Sequence, residues 1–219
     1  MAVFINYSKK FFVFTSYKVA YSTLQNQSGG ELKYLSYKLN YPVFRHILKH
    51  YSYNKYLLVR NPYDRFLSLF SDKFRKQPER ILGGLHTWEN VHTCMFPYLG
   101  LSNTDSDEMI ADKFLTMQLS ELISFLPKGI LLDEHFMSQK STIQISAFNK
   151  IPIAVPMKKI LRLEDQKEDF SKLTGINLGI KRNTSNSKEY KGELSKEDLV
   201  VLNRIYKEDF EQGNYQMLY

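Results

Sequence analysis

The sequence predicts an α/β protein, on three observations. Tyr56–Val59 is a short apolar run of the kind that forms a buried strand, and it passes directly into an amphipathic helix. Phe11–Phe14 is a second such run, again followed by a turn and a helix start. The composition can supply the core: the 219 residues are 43% hydrophobic and 14% aromatic, with fifteen Tyr and fifteen Phe, which excludes a disordered chain. The length suits a single domain over residues 1–219, with 81–107 read as an insertion.

Phe11–Phe14 reads as the first strand and leads into Thr15–Leu24, a turn rich in small and hydroxyl residues with one lysine, Lys18. That layout is a phosphate cradle, in which backbone N–H groups face the anion and the lysine adds a point charge. No G-x-x-x-x-G-K-[ST] is present, so this is not the standard nucleotide P-loop. An ordinary strand-to-helix connection with an exposed lysine is the competing reading. Ser28-Gly29-Gly30 breaks the pattern, and helices are expected over Glu31–Leu39 and near Phe44–Lys49. His46 and His50 stand one helical turn apart, a spacing that suits a metal. No further ligands cluster with them, so a solvated face shared with Arg45 and Lys49 is expected.

Tyr56–Val59 must end at Arg60-Asn61-Pro62, because Pro62 cannot donate to a ladder and restricts the residue before it. The helix that follows puts Phe66, Leu67, Phe70 and Phe74 on one stripe, and Asp64, Arg65, Asp72 and Lys73 on the other. Asn61 or Asp64 can cap its first turn. An arginine at the carboxyl end of a strand, just before a helix start, is an anion-binding geometry. Ser68 can add a hydroxyl. The alternative for Arg60 is an ion pair at a sheet edge.

Beyond it, Lys73–Arg80 is a basic helix end, and Ile81–Asp107, with His86, Trp88 and His92, is the least regular stretch. Such a loop-rich segment suits either an acceptor-binding lid or a surface excursion. Met109–Leu126 returns to helical periodicity. Ile151–Pro156 and Ile160–Leu163 read as short or edge strands, as their prolines demand. Glu164–Leu173 is helical and stops at Gly175. A basic, hydroxyl-rich loop spans Lys181–Gly192. The last helix opens with Ser195 as N-cap and buries Leu199, Leu202, Ile205, Tyr206 and Phe210.

The stretch VRNPYDRFLSLFSDKF resembles the 3′-phosphate motif of the carbohydrate sulfotransferases, which use 3′-phosphoadenosine 5′-phosphosulfate (PAPS). On that resemblance Arg60 and Ser68 hold the 3′-phosphate. Tyr17–Thr23 is similar to the family's 5′-phosphosulfate loop, which follows the first strand. This implies that Lys18 faces the bridging oxygen and sulfuryl group, and that Ala20, Ser22 and Thr23 line the 5′-phosphate. Tyr17 stands where the family has proline, and Tyr21 where it has a small residue.

Asp133–Gln139 resembles "D-x-H-W-x-P-Q": His135 and Gln139 match, Phe136 keeps an aromatic, and Ser138 replaces proline. His135 would then take the proton of an acceptor hydroxyl, with Glu134, Asp133, His86 and His92 left open as bases. In the 181–192 loop a family "x-N-x-S" pattern implies Arg182, Asn183 and Ser185 as cofactor contacts. Glu164–Leu173 is similar to another family segment. The ending IYKEDFEQGNYQ resembles the closing "I-Y-x-x-D-F" block, which reads as packing rather than chemistry.

The resemblance implies a short parallel sheet flanked by helices, related to nucleotide kinases. It also implies sulfuryl transfer from PAPS to a carbohydrate or glycolipid hydroxyl, with 3′,5′-diphosphoadenosine as product and no metal.

Thirty Lys and Arg against 23 acids give a formal charge of +7, which suits an anionic cofactor, acceptor, nucleic acid or membrane surface without choosing among them. Cys94 is the only cysteine, so no intrachain disulfide can form. With no N-terminal signal, a reducing, cytoplasmic setting is expected. Animal Golgi sulfotransferases carry an anchor and paired cysteines; this chain looks more like a bacterial cytosolic relative. No apolar run is long enough to span a membrane, and peripheral contact stays open. Two alternatives remain: a nucleotide-dependent kinase of the same fold, and a non-enzymatic basic polyanion-binding protein. No concentrated basic run with interleaved aromatics supports the second, and no nucleic-acid partner is expected.

Overall fold

A computed structural model describes residues 2–27, 30–36, 39–147, 151–179, 190 and 193–219. The chain opens with strands β1 (Ala2–Asn6) and β2 (Phe11–Thr15), helix α1 (Tyr21–Asn26), β3 (Leu32–Ser36), α2 (Tyr41–Lys49) and β4 (Asn54–Val59). Helices α3 (Pro62–Ser71), α4 (Gln77–Leu82), α5 (Asn90–Thr93), α6 (Phe96–Leu99), α7 (Asp107–Thr116) and α8 (Leu119–Leu132) follow, with a π-helical segment, Asp72–Lys76, joining α3 to α4. After a 3₁₀ turn (Gln139–Ile143) come β5 (Gln144–Ala147), β6 (Ile151–Ala154), β7 (Lys159–Arg162), α9 (Lys167–Thr174), α10 (Lys196–Ile205) and α11 (Lys207–Gly213).

These elements form two compact units. The first comprises Met1–Asn61, Ser138–Thr184 and Glu208–Tyr215; the second comprises Pro62–Met137, Ser185–Lys207 and Gln216–Tyr219. The first unit is an α/β layer structure around a five-stranded sheet of order β3-β1-β2-β4-β7. β2, β4 and β7 run parallel, while β1 pairs antiparallel with both β2 and β3. Alternation of side chains across the strands builds two cores. Phe4, Phe11, Val13, Tyr56, Leu58 and Leu161 pack with Leu24 of α1 and Phe170 of α9 on one face. Val3, Ile5, Phe12, Phe14, Leu57 and Val59 pack with Val43 and Ile47 of α2 on the other.

The expected sheet flanked by helices is therefore present, with two departures in detail. Phe11–Phe14 is the second strand, since the apolar run AVFIN already forms β1. The helix expected over Glu31–Leu39 is the edge strand β3. Leu32, Leu35 and Leu39 imitate helical spacing, but the open edge of β1 recruits the segment. Tyr34 registers with Phe4, their rings 5.5 Å apart and edge-on. Ser28 and Gly29 lie outside the described residues.

The second unit is helical. Phe66, Phe70, Phe74, Phe114, Phe125 and Phe136 are buried in it. Two residues of the expected polar stripe are not solvated: Arg65 in α3 is only 2% exposed, and Lys73 in the π segment is buried. Helix α3 is covered on nearly every side, so Arg65 must find acceptors inside. It donates to the carbonyls of His135 (3.3 Å) and Met137 (2.8 Å) and lies over the Tyr206 ring at 4.9 Å. The π turn takes carbonyls out of the regular ladder. Lys73 O accepts from His92 Nε2 (2.8 Å) and Phe74 O from Arg75 (2.9 Å). Among the described residues no helix is long and apolar enough to cross a membrane.

Candidate active site

β2 and β4 are adjacent and parallel, with Thr15 in register with Leu58, so their carboxyl ends open side by side. The loop after β2 is held by Thr15 Oγ1 donating to Val19 O and by Val19 N–H donating to Ser16 O (3.3 Å). Within it Lys18 (φ 64) and Ala20 (φ 53) adopt the left-handed region. That conformation costs a residue with a Cβ on the order of 1–2 kcal/mol, and such strain concentrates at functional loops. Lys18, Ala20, Ser22 and Thr23 are all half-buried.

Arg60 directly follows β4, and its Nη1 donates to Lys18 O at 3.2 Å. The structure thus brings together the two cationic residues singled out in the sequence, in one unit and on neighbouring strand ends. The Arg60 backbone is pinned as well. Its N–H donates to Gln139 Oε1 (2.8 Å), and its carbonyl accepts from Gln139 Nε2 (2.8 Å). The next N–H, of Asn61, donates to Glu164 Oε1 (2.8 Å). The sequence signals neither role: Gln139 and Glu164 are marked there only by their place in motif-like blocks. Ser68 is buried in α3 and belongs to the second unit. Arg182, Asn183 and Ser185 lie outside the described residues.

In the second unit, Asp133 Oδ1 accepts from the His135 backbone N–H (2.8 Å) and bonds His135 Nδ1 (2.7 Å), while Oδ2 accepts from Asn90 (2.8 Å). Burial pushes the Asp133 carboxyl up, but the hydrogen bonds and charge of His135 outweigh it and hold it below the usual range. An ionised Asp133 accepts from His135 Nδ1, which selects the tautomer with its proton on Nδ1 whenever the ring is neutral. Glu134 is half-buried, and its Oε2 has no hydrogen-bond partner among the described residues. Burial raises the Glu89 carboxyl too, yet Lys73 and Gln77 bond it, and the charges of Lys73 and His135 add to the net lowering.

His92 is fully buried, accepting the Glu89 N–H at Nδ1 (3.2 Å) and donating from Nε2 to Lys73 O. Desolvation lowers its pKa to about 4. His86 is exposed. The His46 and His50 rings lie 4.5 Å apart, with Tyr7 Oη at 3.0 Å from His46 Nε2. No group of three or more metal-ligating side chains occurs among the described residues.

No curated protein and no solved structure matches the chain. The model of the Sulfotransferase family matches residues 3–216, a span that contains both the paired strand ends and the Asp133–His135 couple. With nearly its whole length under that one description, the chain belongs to the sulfotransferase family.

Proposed function

We propose that this sulfotransferase uses PAPS as donor and a hydroxyl of a carbohydrate or glycolipid as acceptor, as a single functional domain in the cytoplasm. The observation that carries the donor assignment is the Arg60 guanidinium lying against the Lys18 loop at the ends of β2 and β4. Cations and hydroxyls grouped there fit a ligand with phosphates at both ribose ends. When bound, PAPS supplies a sulfuryl group that passes to the acceptor oxygen as 3′,5′-diphosphoadenosine leaves.

The chain's own residues divide the work. Arg60 grips the 3′-phosphate, and Ser68 is assigned the same ligand on its motif. Ser22, Thr23 and the Ala20 backbone hold the 5′-phosphate. Lys18 neutralises the charge that builds on the bridging oxygen, the point where preorganised cations accelerate group transfer most. His135, oriented by Asp133, accepts the acceptor's proton at Nε2. Arg182 and Asn183 are added by the family pattern alone. The exposed stretch 82–87, with His86, is the proposed acceptor side of the 81–107 insertion.

A thermal-shift comparison tests the donor. 3′,5′-Diphosphoadenosine should raise the melting temperature, since ligand at 100 times its Kd adds about 2.7 kcal/mol. AMP and ATP at equal concentration should do markedly less. Stabilisation by ATP with none by the 3′-phosphorylated nucleotide would replace this reading with a kinase.

A further inference from the structure

The side chains that pin Arg60 and Asn61 are themselves held, and both supports come from one stretch, Glu208–Tyr215. Asp209, 1% exposed, accepts from Ser138 Oγ (2.6 Å), Gln139 N–H (2.9 Å) and Lys140 N–H (3.0 Å). That fixes the start of the 3₁₀ turn, from which the fully buried Gln139 side chain reaches both backbone groups of Arg60. Tyr215 Oη donates to Glu164 Oε2 (2.7 Å), while Oε1 of the same carboxylate accepts the Asn61 N–H.

We infer that Asp209 and Tyr215 are positioning residues for donor binding: through Gln139 and Glu164 they set where the Arg60 guanidinium stands. Two parallel relays converge on two consecutive peptide units. A strand end held on one side only could pivot about the φ and ψ torsions of Arg60. Held at Arg60 N–H, Arg60 C=O and Asn61 N–H, it presents the guanidinium in one place, which lowers the ordering cost of binding. Buried amides satisfied in this way are also costly to disturb. The closing block, read in the sequence as packing alone, thereby acquires a role in recognition. The inference rests on Arg60 binding the 3′-phosphate.

The test uses the full chain with Gln139→Met, which keeps volume but no hydrogen bond, and Tyr215→Phe, which removes a single hydroxyl. Amide hydrogen exchange is read at Arg60 and Asn61, and calorimetry compares 3′,5′-diphosphoadenosine with AMP. Gln139→Met should speed exchange at Arg60 and weaken the diphosphate by about tenfold, with AMP affinity held. Tyr215→Phe should act in the same direction at Asn61, less strongly. Faster exchange with an unchanged preference for the 3′-phosphate overturns the inference, as does unchanged exchange in both variants. A wild-type protein that binds AMP and the diphosphate equally overturns the reading of Arg60 itself, and the inference with it.

Discussion

The Arg60 guanidinium donates to Lys18 O, yet the two residues are expected to fail differently. On the role proposed for Arg60, Arg60→Ala removes a charge-assisted grip on a phosphate that does not react. It should weaken 3′,5′-diphosphoadenosine by about 2–3 kcal/mol, read by calorimetry. On the role proposed for Lys18, its charge is needed only as the bridging oxygen becomes anionic, so Lys18→Ala should depress kcat far more than it raises KM. Small, equal effects from both would count against the division of roles.

His92 offers a separate check, because its pKa of about 4 lies below the ordinary 6.5. Between those values the unfolded chain binds a proton that the folded protein refuses. The contribution of neutral His92 is therefore intact above 6.5 and is lost as the pH falls towards 4, by about 3 kcal/mol in all. Urea midpoints of wild type and His92→Gln should converge between about pH 7 and about pH 4.5, and a constant gap would refute the assignment.

At the scale of elements, α8 delivers the Asp133–His135 couple, and its packing depends on Gly129. A Cβ there would stand 2.7 Å from Phe125 Cε1 and 3.1 Å from Phe136 Cδ2, both rings buried. Gly129→Ala improves helix propensity by about 1 kcal/mol, but overpacking typically costs 1–3 kcal/mol, roughly. Net destabilisation is expected, seen as a lower denaturant midpoint, with reduced turnover if Phe136 carries the neighbouring His135 with it. The π segment follows the same logic. Its Lys73 O accepts from His92 and its Phe74 O from Arg75, which also donates to Phe114 O, so its basic side chains belong partly to the interior rather than to a solvated helix end.

For the whole molecule, the excess of positive charge acts at longer range. With a formal charge of +7 and the polyanionic donor proposed above, screening should matter: the Debye length falls from about 10 Å at 0.1 M salt to about 3 Å at 1 M. The KM for PAPS should rise over that range while kcat changes little, because Coulomb attraction at a distance aids capture and not the chemical step. A salt-independent KM would mean that only local contacts hold the donor.

Period and punctuation, which act over a few residues, decided much in advance. Tyr56–Val59 had to be a buried strand, Pro62 had to end it, Gly175 had to close α9, and Ser195 had to cap α10; all are observed. The same local reading failed wherever a distant partner decided the outcome. The edge of β1 turned Leu32–Ser36 into a strand. The carbonyls of His135 and Met137 drew Arg65 inside. Gln139 and Glu164, which bond Arg60 and Asn61, and Asp209 and Tyr215, which bond the Gln139 turn and Glu164, lie as much as 155 positions from Arg60; only chain folding, which satisfies buried backbone groups with whatever side chains arrive, could bring them into one network.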